Sequence, residues 1–146
     1  MWTERQVSLL LAALAGWALT LGVLVYLTQR HGFGAAGAWL PSLVHPFAFG
    51  LLTALALPAT WRQAGCAAWG AVNVVFELGQ HPSVGAPLAE ALHAGLGGSA
   101  PVSLLADYFV LGSFDGRDLA AAVLGALAAA AVLRRLPTHQ EPAHAC

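Results

Sequence analysis

Residues 7–28 read VSLLLAALAGWALTLGVLVYLT, a run of 22 residues without a charged side chain. A helix needs about 20 apolar residues to cross the roughly 30 Å hydrocarbon core of a bilayer, so this run is long enough. A cleaved signal peptide is the alternative, but its apolar region is usually about 7 to 15 residues long. Glu4 also interrupts the basic start that a signal peptide has, and no A-x-A-like cleavage site ends the run. We therefore predict a retained transmembrane helix over residues 7–28.

The composition of the whole chain leads to the same class of protein. Of its 146 residues 58% are hydrophobic and 9% are charged, with a mean hydropathy of +0.70, whereas soluble domains carry roughly 25% charged residues. So few ionisable groups cannot cover a water-soluble surface. A net charge of -1 and the absence of lysine exclude a basic nucleic-acid-binding surface. Cys66 and Cys146 define no disulfide framework. We predict one all-α, polytopic transmembrane domain over residues 1–146.

Three further spans are predicted, over residues 42–61, 63–80 and 118–133. Pro41 or Pro46 would stand near the start of the second span, where the missing N–H of proline costs nothing. The third and fourth spans are short for a bilayer, so each should extend by a turn or use interfacial polar residues at its ends.

Arginines near the span ends predict the orientation, because cytoplasmic loops of membrane proteins are enriched in positive charge. With four spans, one side holds Arg5, Arg62, Arg134 and Arg135, and the other holds Arg30 and Arg117. We therefore expect both termini, including the tail 134–146, on the cytoplasmic side of the membrane. The polar ends of the spans and the loop 81–117 then face outward.

The loop 81–117 is too long for a simple turn between helices. Residues 87–94 have the pattern of a short amphipathic helix. Residues 101–111 are apolar except for Asp107, and they are too few to cross the bilayer, which predicts a re-entrant or membrane-lying segment. In the fourth span, Gly125 and its alanine neighbours favour close helix packing.

Three polar residues of the third span, Asn73, Glu77 and Gln80, lie at i, i+4 and i+7 and so share one helix face. A carboxylate near hydrocarbon costs several kcal/mol unless it is paired, hydrated or protonated, so this face should meet other helices or a wet cavity. The face could be a packing cluster or a ligand or proton site. We favour the ligand site for Glu77 and a structural role for Asn73, as interhelical packing through its amide.

His45 opens the second span on the same side as Glu77, and a histidine opposite a carboxylate can carry a pH-dependent charge. A metal site of His45, Glu77, His81 and Asp118 is conceivable by ligand type, but no metal-binding spacing joins these residues. We predict neither a metal nor another cofactor. The remaining histidines (His31, His93, His139 and His144) have the sequence context of solvated loops or tails.

The turn before the fourth span, residues 112–118, reads GSFDGRD. Asp115 suits a helix N-cap, and Asp118 three residues later would complement the positive end of the helix dipole. Alternatively, the turn forms one side of a shallow outward pocket. The predicted ligand-binding residues of that pocket are His45, Glu77, Gln80, Asp115, Arg117 and Asp118.

These motifs resemble the signatures of the VanZ-like family of small bacterial integral membrane proteins. PSLVHPFAF at residues 41–49 is similar to the histidine motif of the second helix, and ELGQ at 77–80 to the E-x-x-Q of the third. SFDGRD at 113–118, with Gly125 seven residues on, is similar to the turn into the fourth helix. The chain departs from the pattern at three places: Pro41-Ser42 replaces an Asp-Lys pair, Gly112 an arginine and Ala122 an asparagine. Arg117 could take the place of the missing basic groups.

The resemblance implies an inner-membrane protein of a family named for low-level resistance to the glycopeptide teicoplanin. Our leading hypothesis is a protein that binds an amphiphile, either a lipid headgroup or a lipid-linked cell-envelope precursor. The second hypothesis is a structural or accessory subunit, whose polar residues only lock helix packing and whose partner is another membrane protein or a second copy. The third is a membrane enzyme acting on a headgroup by acid–base chemistry, although no G-x-S-x-G nucleophile motif supports it.

Overall fold

The computed structural model describes residues 3–28, 33–34 and 36–136, and every regular element in these ranges is helical. The helices are α1 (Glu4–Leu27), α2 (Ala36–Ala56), α3 (Arg62–Gly79), α4 (Gly85–Leu96), α5 (Ala100–Leu111) and α6 (Gly116–Arg135), with a short 3-10 turn at Ala59–Trp61. The described part of the chain contains no strand, so the predicted all-α class is confirmed.

Three of these helices, α1, α2 and α6, are long and apolar enough to cross a membrane. This agrees with the membrane protein that the composition predicts. The third predicted span is present as the helix α3, which has 18 residues but is not among the three. Its sequence carries Arg62, Gln63, Asn73 and Glu77, which lower its mean hydropathy.

The first helix begins before its apolar run. A capping box closes its N-terminus: Thr3 Oγ1 accepts from the Gln6 N–H at 3.2 Å, and Gln6 Oε1 accepts from the Thr3 N–H at 2.8 Å. Glu4 in the first turn complements the positive end of the helix dipole. These groups extend α1 by a turn beyond the predicted residues 7–28.

The second helix differs most from the sequence expectation. It begins at Ala36 rather than at residue 42, which places Pro41 and Pro46 inside the helix and not at its N-terminus. Each proline lacks the N–H that would bond to the carbonyl four residues earlier, a loss of a few kcal/mol for a helix in isolation. Packing on both sides offsets this cost, because α1 and α6 both lie against α2.

Helices α2, α3 and α6 each pack against the other two, and α1 packs on α2. Small residues set the distances between them. A Cβ at Gly125 of α6 would overlap the carbonyl oxygen of Leu43 in α2, and a Cβ at Gly70 of α3 would lie 2.8 Å from the Cβ of Ala126. As its composition suggests, α6 approaches its neighbours closely through glycine and alanine.

The contacts also show which helix ends lie together. Gln63 at the start of α3 donates to the carbonyl of Ala130 late in α6 at 3.2 Å, so these two helices are antiparallel. Gly22 late in α1 faces Val44 early in α2. The C-termini of α1 and α3 and the N-termini of α2 and α6 therefore share one end of the bundle. We call it the α4–α5 end, because these two helices lie there.

The predicted amphipathic helix and apolar segment of the loop correspond to α4 and α5, which pack against each other. Gly97, with φ +75°, ends α4 in a conformation that other residues rarely adopt. The ring of Phe109 in α5 lies where a Cβ at Gly79 would be, so α5 docks closely on the end of α3. Leu104 and Leu111 of α5 remain 71% and 80% exposed, and they give the hairpin an apolar outer surface.

Candidate functional site

A hydrogen bond joins the C-terminal end of α3 to the N-terminus of α6. The backbone N–H of Asp115 donates to Glu77 Oε1 at 2.9 Å across 38 residues of sequence. Asp115 is the N-cap of α6, and its Oδ1 accepts from the Arg117 N–H at 2.8 Å. The predicted helix cap is therefore confirmed.

Asp118 stands beside this junction, in the first turn of α6, with its Oδ1 buried. The charges of Asp118 and Asp115 both act on Glu77. We call these three residues the carboxylate cluster.

Arg117 belongs to a different surface. Its side chain lines a depression of about 260 Å³ on the α2–α6 face, together with Trp39 and Leu43. Only its backbone N–H contributes to the junction, through Asp115. The structure thus joins Arg117 to the predicted pocket through its main chain, and Arg117 is otherwise an exposed residue at the edge of the α2–α6 depression.

Gln80 and His81, which follow α3, contact the turn of residues 112–118. The side-chain amide of Gln80 lies so close to Gly112 that a Cβ at this glycine would overlap it. His81 Nδ1 bonds to Ser83 Oγ at 2.8 Å, and its ring meets the ring of Phe114 at 5.1 Å. The turn of residues 112–118 is therefore held against the end of α3 by several contacts.

His45 lines a hollow between α2, α3 and α5 with a volume of about 210 Å³. We call it the aromatic depression, and its lining residues are His45, Phe49, Trp69, Val72, Asn73, Phe76 and Tyr108. Phe49 stacks on Trp69 at 4.9 Å, and Phe76 meets Tyr108 at 5.5 Å. Glu77 is not part of this lining, so His45 and Glu77 border neighbouring regions and not a single polar pocket.

Asn73 and Trp69 are each held by a hydrogen bond. Asn73 Nδ2 donates to the Trp69 carbonyl at 2.9 Å, within its own helix and not between helices as predicted. A short amide side chain easily reaches the carbonyl four residues earlier, which explains the difference. Trp69 Nε1 donates to Thr53 Oγ1 at 2.7 Å and so fixes the indole against α2.

Tyr108 connects the aromatic depression to the carboxylate cluster. Burial first, and then the charges of Glu77 and Asp118, raise the pKa of the Tyr108 phenol above its usual range. The hydroxyl therefore stays protonated near neutral pH and can donate a hydrogen bond. Sequence reasoning missed Tyr108, Trp69 and Phe76. Trp69, Asn73 and Phe76 do lie at i, i+4 and i+7, a spacing that could have placed them on one face.

His45 also borders a second, larger cavity. A groove of about 650 Å³ runs between α1 and α2, and its lining residues are Leu19, Gly22, Val23, Val25, Tyr26, Leu27, Pro41 and His45. We call it the α1–α2 groove. Its lining is almost wholly apolar, so it is suited to a hydrocarbon chain.

Within the described ranges, no three His, Cys, Asp or Glu side chains are grouped as metal ligands. Several residues used in the sequence argument (Arg30, His31, His139, His144, Cys146 and the tail from residue 137) lie outside the described residues. No family model, curated protein or solved structure matches the chain.

Proposed function

We propose that this chain is an inner-membrane protein that binds an amphiphile at the α4–α5 end of its helix bundle. The observation that carries the proposal is the position of His45, which borders both the apolar α1–α2 groove and the aromatic depression. An amphiphile has an apolar and a polar part, and here an apolar groove meets a polar, aromatic surface. The carboxylate cluster lies beside that surface, through Tyr108.

The proposed membrane arrangement has four spans, with α3 as the third. Helix α3 packs against two of the apolar helices, α2 and α6, along its length, and that packing supports placing it at the same depth. Asn73 and Glu77 are then bordered by protein, as polar groups in a membrane require. The α4–α5 hairpin would lie on or dip into the outer leaflet, with Leu104 and Leu111 in contact with lipid.

The resemblance of the motifs to the VanZ-like family agrees with this proposal. The motifs stand on α2, at the end of α3 and at the start of α6. The Glu77–Asp115 hydrogen bond joins the last two, and His45, in the middle of α2, lines the neighbouring aromatic depression. The ligand would be a lipid headgroup or a lipid-linked cell-envelope precursor. A contribution to teicoplanin resistance would follow from such binding at the outer leaflet.

Native mass spectrometry of the detergent-released protein tests the proposal. We expect wild type to retain an amphiphile, and we expect Glu77→Gln to retain less of it, because the substitution removes the carboxylate that would contact the polar part of the ligand. Glu90→Gln is the matched control, since Glu90 is exposed on α4 and belongs to neither cavity. Wild type without any retained amphiphile would contradict the proposal.

A scaffold role is the second candidate, and the Glu77–Asp115 hydrogen bond favours it. A glutamine at position 77 still offers an oxygen acceptor to the Asp115 N–H, so the helix junction should form in the variant. A pure scaffold would therefore fold with unchanged lipid retention in Glu77→Gln. Equal retention by the variant and wild type at equal expression would favour the scaffold.

A further inference from the structure

A long apolar groove lies between α3 and α6, away from the candidate site. It has a volume of about 560 Å³ and is lined by residues 63–74 of α3 and 123–134 of α6. We call it the α3–α6 groove. Its lining is apolar except for Gln63 and Arg134, which lie together at the end of the groove opposite the α4–α5 end.

A smaller hollow of about 230 Å³ adjoins that end of the groove. Its lining residues are Ala59, Arg62, Gln63, Leu133, Arg134 and Leu136. We call it the basic hollow. Gln63 and Arg134 line both cavities, so the two are joined by shared walls. Arg62 Nε donates to the Leu57 carbonyl at 3.3 Å, a bond that uses one of the five N–H donors of its guanidinium.

Positive charge exceeds negative charge at this end of the bundle. The described arginines here are Arg5, Arg62, Arg134 and Arg135. Among the described residues of this end, Glu4 is the one carboxylate, and it belongs to α1, which packs on α2. Counting Glu141, from the sequence after residue 136, still leaves more arginines than carboxylates. An anion is therefore attracted to the basic hollow.

The groove has the length of one lipid leaflet. Residues 63–74 and 123–134 each cover about 16 Å of helix at 1.5 Å per residue, which is close to half of the roughly 30 Å hydrocarbon core. Trp61, next to Arg62, is 63% exposed, as is typical of tryptophan at a membrane interface. An acyl chain in the groove would thus begin at headgroup level and end near the middle of the bilayer.

We propose that these two cavities bind one anionic phospholipid, with its phosphate at Arg62 and Arg134 and one acyl chain in the α3–α6 groove. Guanidinium groups bind phosphate oxygens through paired N–H donors. Basic pockets between membrane helices are a common site for anionic headgroups. This second lipid site goes beyond the proposed amphiphile site at the α4–α5 end, and it shares with that proposal only the placement of α3 in the membrane.

Headgroup competition on matched arginine variants tests the basic hollow. Each protein is equilibrated in detergent with equal amounts of dioleoyl phosphatidylglycerol and dioleoyl phosphatidylethanolamine, and the bound lipids are counted by native mass spectrometry. Arg134→Gln should lower the ratio of bound phosphatidylglycerol to phosphatidylethanolamine by about three- to fivefold, the effect of one basic residue on an anionic lipid.

Arg135→Gln is the matched control, because it removes the same charge from the adjacent residue, which lines neither cavity. Its ratio should stay close to that of wild type. An equal ratio in all three proteins would overturn the inference. An equal fall in both variants would also overturn it, since general surface charge and not the hollow would then select the lipid.

A second pair of variants tests the groove. Ala67→Phe places a ring in the α3–α6 groove and should lose bound phosphatidylglycerol. Ala68→Phe, also at an exposed position of α3 but outside the groove, should retain it as wild type does. Equal retention by the two variants would overturn the inference. So would a wild-type dimer that Ala67→Phe converts to a monomer, because a second copy would then occupy the groove.

Glu77→Gln separates this inference from the proposed function. Glu77 lies at the other end of the bundle, so its substitution should leave the preference for phosphatidylglycerol unchanged. A preference that Glu77→Gln abolishes and Arg134→Gln leaves intact would overturn the inference and move the anionic lipid to the α4–α5 end. Lower lipid retention in Glu77→Gln, with equal ratios in the arginine variants and wild type, would refute this second site and leave the proposed function in place.

Discussion

Tyr108 is the residue at which the aromatic and acidic parts of the candidate site meet, which makes its phenol a reporter of the carboxylates. Removing the negative charge of Glu77 should ease ionisation of the phenol, so Glu77→Gln should lower the pKa of Tyr108 toward its ordinary value. Because burial of Tyr108 would remain, its pKa should return only part of the way to the ordinary value. Phenolate absorbance during an alkaline titration measures this, in a Tyr26→Phe background, because the chain has two tyrosines.

Glu90→Gln is the control for that titration, as an exposed carboxylate of α4. It should leave the Tyr108 curve unchanged. A Tyr108 pKa that is the same in Glu77→Gln and in wild type would contradict the arrangement described for this end of the bundle.

At the residue level, local chemistry was readable in the sequence and long-range contact was not. The Asp115 cap follows from a short polar side chain before an apolar helix, a signal contained in a few adjacent residues. The partner of its N–H, Glu77, lies 38 residues away. The meeting of Trp69 with Phe49 likewise depends on how α2 and α3 pack, which spacing along one helix cannot reveal.

At the level of elements, α6 depends on its small residues for contact with α2. Gly125→Ala should lower the thermal unfolding midpoint, because the new Cβ would overlap the Leu43 carbonyl and force the two helices apart. Overpacking of this kind typically costs about 1 to 3 kcal/mol. Circular dichroism of both proteins in the same detergent measures the shift.

Gly16→Ala in α1 is the matched control, since no atom lies within 4 Å of the position of its new Cβ. Alanine is also the better helix former, so this variant should unfold at the wild-type temperature or slightly above it. The close approach of α6 to α2 would be refuted if Gly125→Ala were as stable as Gly16→Ala.

The sequence predicted helices better than it predicted their ends. Charge-free runs located α1 and α6 to within a few residues, because the bilayer requires a minimum length of apolar helix. The sequence predicts the start of α2 at residue 42, six residues too late, because proline suggests a helix N-terminus. Packing of α2 against α1 and α6 keeps the helix intact through Pro41 and Pro46. Rules based on neighbouring residues cannot predict this, because they do not include contacts between helices.

At the level of the whole molecule, the helix directions place most of the described arginines at the end of the bundle opposite the candidate site. The N-termini of α1 and α3 and the C-terminus of α6 share the end opposite α4 and α5, which brings Arg5, Arg62, Arg134 and Arg135 together. That end should face the cytoplasm, because positive charge accumulates there in bacterial inner-membrane proteins. The aromatic depression would then open toward the outer leaflet.

Reporter fusions after Leu136 and within the α4–α5 turn at Gly97 test this orientation. A reporter that works only in the cytoplasm should be active after Leu136, and one that works only outside should be active at Gly97, which is exposed between the two helices. Insertion at an exposed turn should leave the bundle intact. The opposite pattern would move the proposed lipid site to the inner leaflet. Replacing Arg62 and inserting an arginine in the α4–α5 turn should weaken the preference for this orientation, because it depends on an excess of only a few positive charges. The two reporters should then both show partial activity.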